Sequence, residues 1–360
     1  MIKYADLHRE YLECQASIDA AIARVIANSS FINGPEVAAL EQDWAAYTES
    51  DACAGVSSGT SALMLALDSL GIGPGDEVIV PAMSFIATAE VVDQLGATPI
   101  FVDIDLYHTL DIHCIKQHIT ERTRAVIFVD LYGQTLDIHA LKQAVGNIPL
   151  IRDAAQSAGS EYLPGNPDQY LYATCWSFYP GKNLSGMGDA GAVTGSKEMC
   201  DKIRYLRDHG RTEKYIHTGR GWNERLDGMQ AAIIRAKIPF LRKWNQRRQH
   251  NANIYRQRIT NSRVGIPMVN PASTHVYNQF VIKITNRDGL KQYLADNNIE
   301  AGLQFPLALH QQPVYKERGD IRTIATILAD RCLSLPVHAY LSDEDIAKVA
   351  FYVQEFADRG

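Results

Sequence analysis

The 360-residue sequence contains no apolar run of membrane-spanning length. Its opening residues, MIKYADLHREYLE, include acids and no apolar core, so they do not predict a signal peptide. The formal net charge is −6, and basic residues form no long stripe, which disfavours nucleic acid as a main partner. We therefore expect a cytoplasmic protein that binds neither membranes nor nucleic acid.

The sequence also lacks the spacings typical of several metal and nucleotide sites. No two cysteines have the C-x-x-C spacing, so we expect no structural zinc site and six free thiols in a reducing compartment. The P-loop pattern G-x-x-x-x-G-K-[ST] does not occur, which excludes that class of nucleotide site. The cysteines are Cys14, Cys53, Cys114, Cys175, Cys200 and Cys332.

Short apolar runs alternate with helical patterns through the first two-thirds of the chain. The runs are almost continuously apolar, which is typical of parallel strands buried on both faces. Helical patterns accompany them: TSALMLALDSLG precedes the first run, and DIHALKQAVG lies between two later runs. We therefore predict an α/β fold with a mainly parallel sheet flanked by helices. The predicted strands lie within Glu77–Pro81, Ala97–Ile104, Arg124–Gly133, Ile148–Gln156, Ala173–Pro180 and Gly191–Gly195.

The pattern changes after Lys237. A long, charged amphipathic helix, IPFLRKWNQRRQHNANIYRQRI, is followed by the strand-like YNQFVIKIT and two further helical patterns. The last of these is SDEDIAKVAFYVQEF, in which Ser342 is expected to cap the helix. We predict a large domain over residues 1–245 and a smaller α+β domain over residues 246–360.

Hydroxyl and glycine residues precede one of the apolar helices. In GVSSGTSALMLAL, residues 55–67, Ser58, Gly59 and Thr60 lead directly into the helical pattern. Exposed N–H groups at a helix start, together with the helix dipole, attract an anion such as phosphate. Serine and threonine also cap helices that bind nothing, and the stretch alone leaves this alternative open.

Asp153 follows the apolar run IPLI, at the carboxyl end of a predicted strand. Ligands of open α/β sheets bind beyond that end. A carboxylate there could bind a metal, orient a histidine or pair with a protonated ring nitrogen. The neighbouring sequence offers no histidine or second acid as a further metal ligand, which weakens the metal interpretation. A helix cap that binds no ligand is a further alternative.

Lys182 lies in a glycine-rich loop between two predicted strands, SFYPGKNLSGMGDAGAV, with no acid beside it. An amine there could bind phosphate, or attack a carbonyl to form a Schiff base if its pKa is lowered. Ser177 offers a hydroxyl group to an anion, and Phe85 follows another strand, where its ring could stack on a planar ligand. A solvated loop lysine and a core phenylalanine are the alternatives.

These features together match the needs of one cofactor. Pyridoxal 5′-phosphate (PLP) requires an anchored phosphate, a lysine for its aldehyde, and an acid for its pyridinium nitrogen. The cradle before the helix, Lys182 and Asp153 would supply these three parts.

The sequence resembles that of a known family. It is similar over nearly its whole length to nucleotide-sugar aminotransferases of the DegT/StrS family, which have the aspartate-aminotransferase fold, fold type I. The stretches that carry the resemblance include SSGTSAL, GPGDEVIVPAMSFIATAEVV, DAAQS, SFYPGKNL, GWNERLDGMQAA and LSLPVHAYLSDEDI.

The resemblance implies a role for each matching residue around the cofactor ring. Lys182 would form the Schiff base with PLP. Asp153 would pair with the pyridine nitrogen, and Gln156 would lie near the ring hydroxyl. Phe85 would pack on the ring.

The resemblance also implies a phosphate site built from two chains. Gly59, Thr60 and Ser177 would hold the phosphate, with Ser58 in the same cofactor site. Asn223 would reach the phosphate from the partner subunit, so we expect a homodimer with shared active sites.

Three residues depart from the family pattern. Arg152 replaces an acid before DAAQ, and Ser185 and Ala190 replace commoner glycines. We expect these changes to adjust loop shape without removing the chemistry. A related dehydratase branch has histidine in place of the lysine, so Lys182 argues against that branch.

The implied activity is transfer of an amino group from L-glutamate to a nucleotide-linked keto sugar, for an amino sugar of a surface polysaccharide or a secondary metabolite. The GWNERLDGMQAA stretch favours a dTDP-linked 3-keto-6-deoxyhexose as the acceptor. A 4-keto sugar, a UDP-linked sugar and a free cyclitol ketone are alternatives. A non-catalytic regulator and a PLP-dependent lyase or dehydratase of the same fold also remain open.

Overall fold

A seven-stranded sheet forms the centre of the structure, a computed structural model that describes residues 1–318 and 323–359. The strands of the chain are β1 (Ala52–Val56), β2 (Glu77–Pro81), β3 (Thr98–Val102), β4 (Thr123–Val129), β5 (Leu150–Asp153), β6 (Ala173–Ser177), β7 (Gly191–Gly195), β8 (Arg211–Glu213), β9 (Ile216–His217), β10 (Phe280–Lys283) and β11 (Cys332–Leu335). The central sheet has the order β1-β7-β6-β5-β4-β2-β3, and β7 is antiparallel to both of its neighbours. The other adjacent pairs are parallel, which confirms the predicted mainly parallel sheet.

Several strands are shorter than the apolar runs that predicted them. Strands β2 and β7 have the predicted bounds, whereas β4 ends at Val129, four residues before the predicted end. Tyr132 and Gly133 have φ angles of 66° and 117°, and extended strands require negative φ. Within the central sheet, the strand that the prediction omits is β1, a short run of small residues that forms an edge of the sheet.

Helices cover both faces of the sheet. The helices are α1 (Leu7–Asn28), α2 (Pro35–Tyr47), α3 (Gly59–Ser69), α4 (Ala87–Gln94), α5 (Ile112–Ile115), α6 (Ile138–Val145), α7 (Lys197–Leu206), α8 (Gly228–Lys237), α9 (Leu241–Arg258), α10 (Arg287–Asp296), α11 (Ile324–Arg331) and α12 (Asp343–Asp358). Side chains alternate across a strand, so Val78 and Val80 pack with Leu65 of α3, and Ile79 packs with Leu141 of α6. This double burial explains the continuous apolar runs.

The C-terminal part of the chain has its own core. Strands β10 and β11 pair antiparallel, and residues such as Leu290 of α10 and Val349 of α12 pack on them. Ser342 caps α12, because its hydroxyl accepts a hydrogen bond from the Asp345 N–H at 3.0 Å. The predicted cap and the smaller α+β unit are both found.

Helix α9 crosses the predicted domain boundary at residues 245 and 246. Its first residue, Leu241, packs in the core of the large sheet with Trp44, whereas Tyr255 packs in the C-terminal core. Ile2 also joins the C-terminal core, since it forms a β-bridge with Ile299. The boundary remains a prediction, supported by this division of contacts along α9.

The described residues give two further facts about the chain. No helix within residues 1–318 and 323–359 combines the length and the apolar character needed to cross a membrane. The six cysteines all lie within these ranges, and each is a free thiol.

A buried ion pair joins α1 to α8. The Lys237 ammonium donates to Glu10 Oε1 at 2.7 Å and to Ser185 Oγ at 3.0 Å, and Ser185 Oγ itself donates to the same Glu10 oxygen at 3.0 Å. Lys237 is only 3% exposed and Glu10 only 9%. Ser185 therefore satisfies a buried charge that a glycine there could not reach.

Replacing Lys237 with methionine is expected to lower the free energy of unfolding by about 3–5 kcal/mol, because Glu10 would keep a buried charge without its cation. Urea unfolding followed by circular dichroism measures the change. The matched control is Lys243→Met, which breaks the exposed ion pair with Glu13 and is expected to cost less than about 1 kcal/mol. Equal losses in the two variants would contradict the prediction.

Candidate active site

A cavity of 760 Å³ lies at the carboxyl ends of the central strands. One wall comes from the sheet and the start of α3, and the other comes from the C-terminal unit, including Asn278 and Phe305. Eight of the nine predicted site residues line it. They are Ser58, Gly59, Thr60, Phe85, Asp153, Gln156, Ser177 and Lys182.

The start of α3 lies against the ends of β6 and β7. Ser58 caps the helix, accepting a hydrogen bond from the Ser61 N–H at 3.1 Å. A Cβ at Gly59 would lie 2.7 Å from Ser177 Cβ, and a Cβ at Gly191 would lie 2.3 Å from the Ser58 carbonyl oxygen. The glycines therefore permit a close approach that brings the first N–H groups of α3 and the Ser177 hydroxyl to one place. This arrangement suits an anion.

Asp153 is a buried carboxylate at the end of β5. Its Oδ1 accepts from the Ala155 N–H at 3.1 Å, and its Oδ2 accepts from the Thr88 hydroxyl at 3.2 Å. Burial raises the pKa of Asp153, and these two hydrogen bonds and the Lys182 charge only partly oppose it. A cationic partner in the cavity would restore the charged form. Thr88 was missed by sequence reasoning, because nothing distinguishes it from other polar residues of α4.

Lys182 is partly buried in the loop between β6 and β7. Burial lowers the pKa of Lys182 to about 8, although the Asp153 carboxylate acts in the opposite direction. Lys182 lines the cavity and is not fully exposed, so the structure disfavours the solvated-lysine alternative. The acid that the neighbouring sequence lacks is supplied by another strand of the sheet.

Two asparagines hold the Lys182 loop, and sequence reasoning identified neither. Asn183 donates from Nδ2 to Asn245 Oδ1 at 2.8 Å and to the Val276 carbonyl at 3.0 Å. Asn278 donates from Nδ2 to the Gly181 carbonyl at 3.3 Å and to Asn183 Oδ1 at 3.0 Å. These bonds tie the loop to α9 and to the C-terminal unit.

Gln156 and Phe85 occupy different parts of the cavity wall. Gln156 is buried, and its Oε1 accepts from the Tyr132 N–H at 2.7 Å, which leaves its amide nitrogen as the donor for a ligand. Phe85 is 54% exposed, and its ring centroid lies 6.0 Å from that of Phe305. The core-phenylalanine alternative is therefore wrong.

Asn223 is the predicted residue that does not line the cavity of its own chain. It is exposed, and its backbone pairs with Asp208. The neighbouring Glu224 side chain accepts hydrogen bonds from the Ser57 and Ser61 hydroxyls near the start of α3. The role of Asn223 in a partner's site remains a prediction.

The departures from the family pattern leave the cavity intact. Arg152 forms a buried ion pair with Asp130, with Nη2 at 2.7 Å and Nε at 2.8 Å from its Oδ2. Ala190 is buried, and its carbonyl accepts from the Phe178 N–H at 2.8 Å. Both side chains are buried, and neither is among the residues that line the cavity.

The segment GMGDAG, residues 186–191, has the spacing G-x-G-x-x-G. It leads into strand β7 and not into a helix. It therefore lacks the strand–turn–helix context of a dinucleotide-binding site.

Comparison with known proteins identifies the family. The sequence pattern of the DegT/DnrJ/EryC1/StrS aminotransferase family matches residues 13–354. The chain is 38% identical to dTDP-3-amino-3,4,6-trideoxy-alpha-D-glucose transaminase of Streptomyces venezuelae, over 99% of this chain and 97% of the relative. It is also 38% identical to UDP-N-acetyl-3-dehydro-alpha-D-glucosamine 3-aminotransferase of Acidithiobacillus ferrooxidans, over 98% and 97% of the two chains.

The fold also matches a solved structure. The crystal structure of S. venezuelae DesV in complex with a ketimine intermediate superposes with a TM-score of 0.96 and 38% sequence identity, covering 100% of this chain and 99% of that one. The fold type and the family predicted from the sequence are confirmed. The chain belongs to the DegT/DnrJ/EryC1/StrS aminotransferase family.

Proposed function

We propose that this protein uses PLP to transfer the amino group of L-glutamate to a nucleotide-linked keto sugar, with a dTDP-linked 3-keto-6-deoxyhexose as the preferred acceptor. The observation that carries the proposal is the meeting of Lys182 and Asp153 in one cavity beside the start of α3. Lys182, Asp153 and the start of α3 belong to different elements of the chain, and a shared ligand explains why they meet.

The residues present fit PLP. The cradle between Gly59 and Ser177, which a Cβ would fill, is suited to the phosphate. The buried Asp153 carboxylate, whose pKa is raised by burial, is suited to a cationic ring nitrogen. Lys182 would bind the aldehyde, Gln156 would donate to the ring hydroxyl, and the exposed Phe85 ring would cover the pyridine face.

The side chains would then divide the work of transamination. PLP, when bound, supplies an electron sink for the carbanion formed at the amine-bearing carbon. Lys182, released when the donor amine takes its place, would move a proton from the donor's α-carbon, and its pKa of about 8 suits a base near neutral pH. Asp153 would hold the proton on the ring nitrogen through a charge-assisted hydrogen bond.

The choice of acceptor is supported by the relatives. The names of the two curated relatives both specify an amine or ketone at position 3 of the sugar, one linked to dTDP and the other to UDP. A UDP-linked 3-keto sugar is therefore the second candidate. The 4-keto sugars and the free cyclitol ketones have no support from these two names.

A substrate panel tests the proposal. The purified protein, loaded with PLP, is incubated with L-glutamate and each of the dTDP- and UDP-linked 3-keto and 4-keto sugars. Products are identified by mass spectrometry and NMR. Amine formation at C3 of a dTDP-linked sugar is expected.

Other products would separate the competing functions. Loss of water or of a hydroxyl group without gain of nitrogen would indicate a lyase or dehydratase. No conversion of any acceptor, and no half-reaction with glutamate, would indicate a regulator that keeps the fold. Either result would overturn the proposed transamination.

We further propose that the active unit is a homodimer in which Asn223 reaches the phosphate of the partner's site. Its exposure, and its absence from the cavity lining of its own chain, support this arrangement. The segment between residues 211 and 222 forms a small exposed ribbon, β8 and β9, which precedes Asn223.

Mixed dimers of Lys182→Ala and Asn223→Asp chains are expected to recover activity. The aspartate would place a negative charge against the phosphate, so each parent dimer should be inactive. If Asn223 acts in the partner's site, one of the two sites in the mixed dimer contains both intact residues, and activity returns to about half that of a wild-type dimer. Co-purification on two different affinity tags verifies that the dimer is mixed. If the verified mixed dimer is inactive, the shared site is ruled out.

A further inference from the structure

Arg248 is a cation of the cavity wall that the proposed cofactor roles do not use. It lies in the middle of α9, is partly buried, and lines the same cavity as Lys182. Its Nη1 donates to the carbonyls of Tyr277 at 3.1 Å and Asn278 at 3.4 Å. Within residues 1–318 and 323–359, the structure gives its Nε and Nη2 no hydrogen-bond partner and gives it no ion pair.

The two most buried arginines among the described residues have carboxylate partners, whereas Arg256, which is partly buried like Arg248, bonds to the Pro267 carbonyl and the Tyr277 hydroxyl. Arg152 pairs with Asp130, and Arg207 pairs with Glu41. Burial lowers the pKa of Arg248 to about 10, and more distant groups such as Glu10 and Tyr4 oppose the shift only in part. A carboxylate from outside the chain would supply the missing partner.

The position of Arg248 relates it to the reacting lysine. Asn278 accepts from Arg248 through its carbonyl, and its side chain donates to the carbonyl of Gly181, the residue before Lys182. Arg248, Gly181 and Lys182 also line a second, small cavity. Arg248 and Lys182 therefore line two cavities in common.

We propose that Arg248 binds the α-carboxylate of the amino donor, an inference that rests on the proposed transamination. An α-carboxylate is bonded directly to the carbon that carries the amine, so its binding group must lie close to Lys182. A guanidinium group can hold a carboxylate through two parallel hydrogen bonds, which Nε and Nη2 are free to form.

The diphosphate of the acceptor is the competing anion. In a 3-keto sugar nucleotide, ring carbons separate the diphosphate from the carbon that receives the amine. A cation that lines the same cavities as the reacting lysine is therefore better placed for the carboxylate. The acids lining the cavity, Asp153 and Asp189, make no ion pair with Arg248 in the described part of the chain.

The test compares Arg248→Met and Arg248→Lys with the control Arg242→Met, which removes an exposed guanidinium from the same helix. In PLP-loaded protein, single-turnover loss of the cofactor absorbance measures the half-reaction with L-glutamate. Calorimetry measures the dissociation constant of 2-oxoglutarate. The half-reaction with 4-aminobutyrate, which has no carboxylate on its amine-bearing carbon, reports on chemistry without the proposed contact.

Arg248→Met is expected to lower the second-order rate constant of the glutamate half-reaction by about 100-fold. A loss of this size is typical when one partner of a desolvated charge pair is truncated. The dissociation constant of 2-oxoglutarate should rise in parallel, and the slow 4-aminobutyrate reaction should not change. Arg248→Lys keeps the positive charge but cannot form two parallel hydrogen bonds to a carboxylate, so its rate constant for glutamate should fall roughly 10-fold. Arg242→Met should match the wild type.

Two results would overturn the inference. One is unchanged 2-oxoglutarate binding in both Arg248 variants, each with normal PLP content. The other is weakened binding of the sugar nucleotide with normal glutamate kinetics, which would assign Arg248 to the diphosphate. If no acceptor is aminated by the wild type but 2-oxoglutarate binding still depends on Arg248, the proposed function fails and the carboxylate site stands.

Discussion

Replacing Lys182 with alanine is expected to lower turnover by at least about 10⁴-fold, because the variant loses the amine proposed to bind the cofactor and to move the proton. The effect should be the largest of any single substitution in the cavity. Steady-state assays with L-glutamate and the acceptor found in the panel measure it. Lys182→Arg keeps a cation but cannot form the covalent bond, so it should be equally inactive.

Covalent attachment gives a second measure of the same assignment. Borohydride reduces the C=N bond between lysine and PLP, so mass spectrometry of the reduced protein should find the cofactor on the peptide that contains Lys182. Burial lowers the pKa of Lys182 to about 8, and the amine attacks only when it is neutral. PLP incorporation into the cofactor-free protein should therefore rise with pH and level off above pH about 8. Cofactor trapped on a different lysine would refute the assignment.

Replacing Asp153 with asparagine is expected to lower the rate of the glutamate half-reaction by roughly 10²–10³-fold, the size of loss seen when a preorganised electrostatic partner is removed. An amide cannot hold a proton on the ring nitrogen as a carboxylate does, so the electron sink is weakened. The cofactor should still bind, because the lysine and the phosphate cradle are unchanged. Single-turnover absorbance measurements give the rate, and cofactor content is measured in the same sample.

The control for this variant is Asp189→Asn. Asp189 is an exposed acid that lines the same cavity, so its replacement changes the charge of the site without removing the buried carboxylate. Its half-reaction should stay within a few-fold of the wild type. Full activity in Asp153→Asn would show that Asp153 is only a structural acceptor for Thr88 and the Ala155 N–H.

Much of the site could be predicted because its residues stand at the ends of recognisable strands. Asp153 ends β5 and Ser177 ends β6, and these parallel neighbours deliver both side chains to one edge of the sheet. Ser58 could be predicted as a helix cap from local composition alone. The end of β4 could not be predicted to the residue, because Tyr132 and Gly133 leave the extended conformation inside an apolar run.

The supports of the site could not be predicted. Asn278 lies 97 residues from Gly181, and Asn183 lies 62 residues from Asn245, yet both pairs are hydrogen bonded. Periodicity describes neighbours along a helix or strand and carries no information about such pairs. In the sequence, Arg248 is one of many charges on a long amphipathic helix, and only the tertiary structure shows that it lines the cavity.

The sequence by itself determined the α/β fold, the α12 cap and the placement of Asp153 and Lys182 next to strand ends, because these depend on local patterns of apolar, hydroxyl and glycine residues. Only the tertiary structure decided the electrostatics of the site. Burial lowers the pKa of Lys182 and raises that of Asp153, and burial is a property of the packed chain. Desolvation of a charge depends on every group that surrounds it, and those groups come from segments that are distant in the sequence.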